Sequence, residues 1–269
     1  MFIKFFIMLL MNEYDLTDSV TNAASNKSNK KYSQDMKNVN YEWVELPSKG
    51  QCYPINSILR EGKIKVSYLT ATDENIIISE KLINEKKVCD ILLANKVLDV
   101  NASELCAGDK EAIILWLRKT GYGNIYKNQF TKTTIDLDKI KYKDFKLISD
   151  NDGNFNYYLP NGGKLRFRYL PYKEEEQLIE RTIEELKNTE WREEDTYVNM
   201  YMKMTILLLR GMIVSVDNVE DIEKWLLGLN FDTVRRIQRY ITHNSPGLSL
   251  ETTEGTVLDD SVFYNITIN

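Results

Sequence analysis

One histidine, His243, and three cysteines, Cys52, Cys89 and Cys106, are the residues of this chain best suited to nucleophilic or metal chemistry. A Ser/His or Cys/His pair would have to use His243, which falls where a helical pattern breaks into a turn. A histidine there is expected to sit by the last carbonyls of the helix. The cysteines show no C-x-x-C spacing and lie far from the histidine, so they read as separate reduced thiols, not as a disulfide framework or a zinc knuckle. Carboxylates come in runs (Asp73/Glu74, Glu174/Glu175/Glu176, Glu193/Glu194/Asp195), each in the first turn of an expected helix, where the helix dipole accounts for them. Gly162-Gly163-Lys164 lacks the G-x-x-x-x-G-K-[ST] spacing of a phosphate loop, and a strand pattern follows it, so a hairpin turn is expected. These readings assign no catalytic residue, cofactor or metal, and the chain is expected not to be an enzyme and to take no small-molecule substrate.

Recognition residues remain. Arg235, Arg236 and Arg239 put positive charge along the last expected helix, beside Tyr240. Most charge runs are solvated faces; the alternative is pairing with an acidic face of another subunit. Arg and Tyr are enriched where interface energy concentrates. With the apolar tail Val262-Phe263-Tyr264 they form the candidate partner-binding set. Trp116, Trp191 and Trp225 sit at amphipathic positions and read as core.

The elements that must carry these residues repeat themselves. Lys63-Ile64-Lys65-Val66-Ser67-Tyr68-Leu69 returns as Lys164-Leu165-Arg166-Phe167-Arg168-Tyr169-Leu170 at a constant offset of 101 residues. Each copy follows a similar turn, Leu46-Pro47-Ser48-Lys49-Gly50 and Leu159-Pro160-Asn161-Gly162-Gly163, and precedes an acidic helix start. A fixed period marks a duplicated unit. The alternation of Ile64, Val66 and Tyr68 with Lys65 and Ser67 is that of a half-buried strand.

In the first unit Thr72 is expected to cap a helix running through Leu82 and Ile83. Helices over Lys87–Lys96 and Asp109–Lys119 follow, the latter stopped by Gly121. The stretch to Asn156 is expected to be β-rich, with strands at Thr133–Leu137 and Phe145–Ile148 and a hairpin turn at Asp150-Asn151-Asp152-Gly153. The second unit carries helices over Glu174–Asn188, Trp191 to about Val214, a segment capped by Asp217-x-x-Glu220, and Phe231–Ile241. The expected fold is therefore α+β, two similar strand-plus-helix-cluster units with a β-rich insert. Its divisions are 1–40, 41–124, 125–158, 159–247 and 248–269.

A net charge of −5 gives no reason to expect sequence-independent nucleic-acid binding. Residues Met1–Met11 are nearly all apolar but span about half the length a membrane helix requires. An over-extended reading frame, restarting at Met8 or Met11, is preferred to a signal peptide or membrane anchor, so a membrane partner is not expected. Thr17–Asn40, rich in Asn, Ser and Lys, is expected to be a disordered arm.

The ordered series Leu46–Gly50, Leu69–Glu74, Leu105–Ile113, Arg118–Gly123, Leu159–Gly162, Phe167–Leu170, Arg236-x-x-Arg239-Tyr240-Ile241 and Pro246-Gly247 resembles the baseplate hub proteins of T-even-type contractile-tailed bacteriophages, a family of hub subunits and hub assembly proteins. The likeness runs from Trp43 to the C-terminus. It implies a structural protein of phage tail assembly that acts by protein–protein interaction with other hub proteins, in the host cytoplasm during assembly or in the virion baseplate. Relatives carry CxxC pairs after the Tyr-Gly motif and near the C-terminus. Here Tyr126–Lys132 and Gly247–Val257 hold no cysteine, so a zinc-ribbon role is not carried over. The competing reading is a non-virion adaptor or regulatory binding module without catalytic activity.

Overall fold

In a computed structural model of the chain, described for residues 40–127, 134–160, 162–189 and 197–249, the repeated segment forms the second strand of an antiparallel pair both times. Strand β1 (Tyr41–Glu45) pairs with β2 (Lys63–Ser67), Trp43 opposite Lys65. Strand β5 (Phe155–Tyr158) pairs with β6 (Lys164–Phe167), Tyr157 opposite Leu165. The turns between them close alike. Leu46 N–H donates to the Gly62 carbonyl at 2.8 Å, and Leu159 N–H donates to that of Gly163 at 2.8 Å. Gly62 and Gly163 stand at the same offset as the strands.

The third element of each unit also corresponds. Helix α3 (Val88–Lys96) runs into Val97, which bridges Val66, and Leu98 N–H donates to the Lys65 carbonyl at 3.0 Å. Helix α6 (Tyr197–Met212) runs into strand β7 (Ile213–Val216), where Ile213 pairs with Phe167, the counterpart of Val66. A helix feeding directly into the neighbour of the central strand is thus built twice. The fold is α+β with small antiparallel sheets.

Several boundaries differ from those expected. The helix begun near Thr72 is two short ones, α1 (Glu74–Ile77) and α2 (Glu80–Asn84), because Ser79 is extended and caps α2 by accepting from Leu82 N–H. Asp73, not Thr72, holds the first turn, its carboxylate taking the Thr70 N–H and hydroxyl. Helix α4 (Ala107–Tyr122) passes through Gly121 and stops at Gly123, whose φ is 79°. Strand β3 (Ile125–Lys127) pairs with β4 (Thr134–Asp136), but 145–148 makes no strand. Asp150–Gly153 does reverse the chain, with Asp150 N–H donating to the Asn154 carbonyl, yet β5 takes its partner from the other side.

Beyond helix α5 (Tyr172–Lys187), the expected long helix ends at Met212. Ile213, Val214 and Val216 are β-branched, which favours strand geometry there. Helix α7 (Ile222–Gly228) is capped by Asp221, which accepts from Lys224 N–H, and not by Asp217, which instead accepts from Lys164 N–H. Helix α8 (Phe231–His243) follows its Asn230 cap and buries Val234, Ile237 and Ile241.

The core beneath β5 and β6 is aromatic. Phe155 packs on Phe167 at 5.6 Å between ring centroids and on Tyr169 at 5.3 Å, with Phe145 edge-on at 5.8 Å. A second cluster joins Leu115, Tyr126, Leu137, Ile140 and Leu248. The two units meet where Tyr172 N–H donates to the Leu105 carbonyl at 2.7 Å and Cys106 bridges Pro171. Among the described residues no helix is long and apolar enough to cross a membrane. The disordered arm expected at 17–40 lies outside them except for Asn40.

Candidate functional site

Asp109, in the first turn of α4, is fully buried. Its carboxylate accepts the Ser48 N–H at 2.9 Å, the Ser48 hydroxyl at 2.6 Å and the Tyr53 hydroxyl at 2.5 Å. The Tyr53 oxygen in turn accepts Cys106 N–H at 3.0 Å, satisfying a donor at the helix start that no cap side chain takes. Burial pushes the Asp109 carboxyl up, and the donors from Ser48 and Tyr53 only partly pull it back. Burial, then the Asp109 charge, pushes the Tyr53 phenol well up. One residue before Asp109, Gly108 lies so close to the Pro246 carbonyl that a Cβ would strike it. Leu46–Gly50, Ala107–Asp109 and Pro246-Gly247 are therefore one buried joint. Its chemistry is that of a clamp, since the carboxylate is engaged by donors and closed to solvent.

Beside this joint, Cys52 and Cys106 line an open cleft of about 610 Å³. All three cysteines are buried and outside any disulfide. The expected scatter holds in sequence but not in space: burial, then the neighbouring Cys106 thiol, pushes the Cys52 thiol well above its usual range. Among the described residues no three His, Cys, Asp or Glu side chains are grouped to hold a metal ion. Two charge clusters elsewhere tie helices together. Lys110 and Lys173 bridge Asp90 of α3 and Glu176 of α5, and Lys96 of α3 makes a buried pair with Asp73.

The expected recognition residues divide. Arg236 is exposed and bonded to Asp232 at 2.6 Å, one helical turn back. Arg239 is exposed, and Arg235 is half-buried with its guanidinium 5.1 Å from the Phe231 ring centroid. Tyr240 is not on that outer surface. Its ring packs 4.7 Å from Tyr157 and 6.2 Å from Phe167, closing α8 over the β5–β6 sheet. Helical periodicity explains this: Tyr240 lies three residues beyond buried Ile237, on the inward side. Val262, Phe263 and Tyr264 lie outside the described residues. His243 is the exposed last residue of α8. Trp116 is half-buried with its ring 5.2 Å from Tyr68, Trp225 is half-buried, and Trp191 is outside the described residues.

Two exposed apolar residues escaped sequence reasoning, Leu227 of α7 at 65% and Phe231 of α8 at 41% exposure. The spacing Phe231, Arg235, Arg239 was the available signal, because residues four apart stack along one helical face. Comparison of the chain with protein-family models, curated proteins and solved structures found no match.

Proposed function

We propose that this protein is a contractile-tail baseplate hub protein of the T-even type, working by protein–protein binding during hub assembly. One observation carries most of the reading. Three motifs of the resembling series, separated by as much as two hundred residues, converge on the buried joint formed by Ser48, Gly108, Asp109 and Pro246. Motif residues spent on a joint support a scaffold that presents surfaces. The presented surface with the composition of a contact is Phe231, Arg235 and Arg239 of α8, where an exposed aromatic adjoins a guanidinium group. The acidic balance of the whole chain favours protein over nucleic acid as the partner.

Infection with phage from which the gene is deleted tests this. Tails lacking hubs, with heads still filled, are expected. Normal numbers of complete tails would defeat the proposal and leave the non-virion adaptor.

A further inference from the structure

The two copies of the duplicated unit differ in their first turn. The turn between the paired strands spans Leu46 to Gly62 in the first and only Leu159 to Gly163 in the second. The extra chain is not surplus loop. Cys52, Tyr53, Pro54, Asn56, Ser57 and Ile58 from it form one wall of the 610 Å³ cleft, whose opposite walls come from 99–106 and from Arg168–Pro171 of the second unit. Clefts at the seam between units, of this size, are where proteins take ligands and partner side chains.

The cleft has a definite chemical character. Ile55 and Ile58 of the inserted loop stand 63% and 47% exposed, Ile58 on the cleft wall. Of the charged groups around it, Asp99 is tied to Lys65 at 3.0 Å and Arg168 to Glu174 at 2.9 Å. Glu104 and Asp152 are exposed and make no ion pair among the described residues. The result is a mixed wall in which exposed Ile58 stands with two carboxylates that have no ion-pair partner among the described residues. The outer ridge of α8 has the complementary character: apolar Phe231, then Arg235 and Arg239 along the same face. The cleft has room for several large side chains, which such a ridge supplies, and not for a whole folded element.

We infer that the cleft receives the Phe231–Arg235–Arg239 ridge of a second copy of this chain, giving head-to-tail self-association. The inference deepens the binding reading above by naming the partner of the α8 surface. A contact between two different surfaces of identical chains is heterologous. It leaves one cleft and one ridge open at the ends, so it propagates until a ring closes. Charge pairing at its rim makes it weaken with salt.

Sedimentation of the full chain at low and high ionic strength tests this, using Glu104→Lys/Asp152→Lys and Arg235→Glu/Arg239→Glu, each checked for native circular dichroism. The wild type is expected to form species larger than a dimer at low salt and to dissociate as salt rises. Each double variant alone is expected to be monomeric. Their equimolar mixture is expected to regain association, because each variant contributes one intact surface and the two reversed surfaces carry opposite charge. Ile58→Asp, at an exposed position on the cleft wall, gives a second cleft variant should the lysine pair unfold. A wild type monomeric at every salt concentration, a double variant that still associates alone, or a mixture that stays monomeric would overturn the inference. None of these outcomes bears on the gene-deletion experiment, so the two readings fail separately.

Discussion

Ser48 gives both its backbone N–H and its hydroxyl to the two carboxylate oxygens of Asp109, sixty-one residues away. The pair joins the turn after β1 to the first turn of α4. Ser48 is as completely buried as its partner, so water cannot replace either bond if the other side is removed.

Asp109→Ala is therefore expected to lower stability by about 2–4 kcal/mol, the cost of leaving the Ser48 N–H and the Tyr53 hydroxyl buried without an acceptor. Urea unfolding of the variant measures it. A double-mutant cycle with Ser48→Ala should show coupling, since both changes break the Ser48 hydroxyl–carboxylate bond. A loss within experimental error of zero would show the joint to be dispensable.

Two carboxylates should shape the pH dependence of stability in opposite directions. At Asp150, burial is outweighed by the Asn154 N–H, the Arg166 guanidinium and the Asp152 N–H, which hold the folded carboxyl below its usual range. Its contribution is present above the unfolded value of about 3.9 and is lost as pH falls through the folded one. Asp109, raised by burial, contributes fully below about 3.9 and loses that contribution as pH rises through its folded value. The stability advantage of wild type over Asp150→Asn should accordingly shrink below about pH 4. An advantage unchanged across the acid range would contradict the Asp150 assignment.

How much of this was visible in the chain can be judged residue by residue. The recurrence at Lys63 and Lys164 was legible because strand alternation and its flanking turns are local, and the structure builds both copies as the second strand of a pair. The strand at Ile213–Val216 was hidden because nothing separates it from α6; only pairing with β6 decides between helix and strand there. The Ser48–Asp109 clamp and the Cys52–Cys106 cleft depend on contacts across more than fifty residues, which no local pattern encodes. Tyr240 was misassigned to the outer surface because it adjoins Arg239 in sequence, whereas adjacent helical residues point about 100° apart. Leu227 and Phe231 were missed because a pattern marks apolar residues as buried until tertiary packing shows otherwise.

The glycines of the two turns should respond differently to alanine. Gly50 has φ 78°, and a Cβ there would run into the backbone carbonyl of Arg60. Gly162 has φ 85°, but a Cβ would have nothing within 4 Å. Both substitutions strain the backbone by about 1–2 kcal/mol, and only Gly50→Ala adds a steric clash, bringing its total to about 2–4 kcal/mol. Thermal unfolding of the two variants side by side makes the comparison. Equal losses would mean that the first turn relaxes around the added methyl.

The last helix separates a residue that holds the fold from residues that present a surface. Tyr240 packs between Tyr157 and Phe167 under α8, so Tyr240→Ala opens a cavity in the aromatic core and should cost about 2–4 kcal/mol. Arg239 is exposed and Arg235 contacts only the Phe231 ring among the interactions described for it, so Arg235→Glu/Arg239→Glu should cost about 1 kcal/mol or less. Under the proposed hub role, phage carrying the charge reversal should yield fewer tails with hubs, while the purified protein stays nearly as stable as wild type. Tyr240→Ala should reduce both together, with assembly recovering at lower growth temperature as the folded fraction is restored. Full assembly by the charge-reversed protein would remove α8 from the binding surface. A charge-reversed protein as unstable as Tyr240→Ala would show instead that the arginines belong to the core packing of the helix.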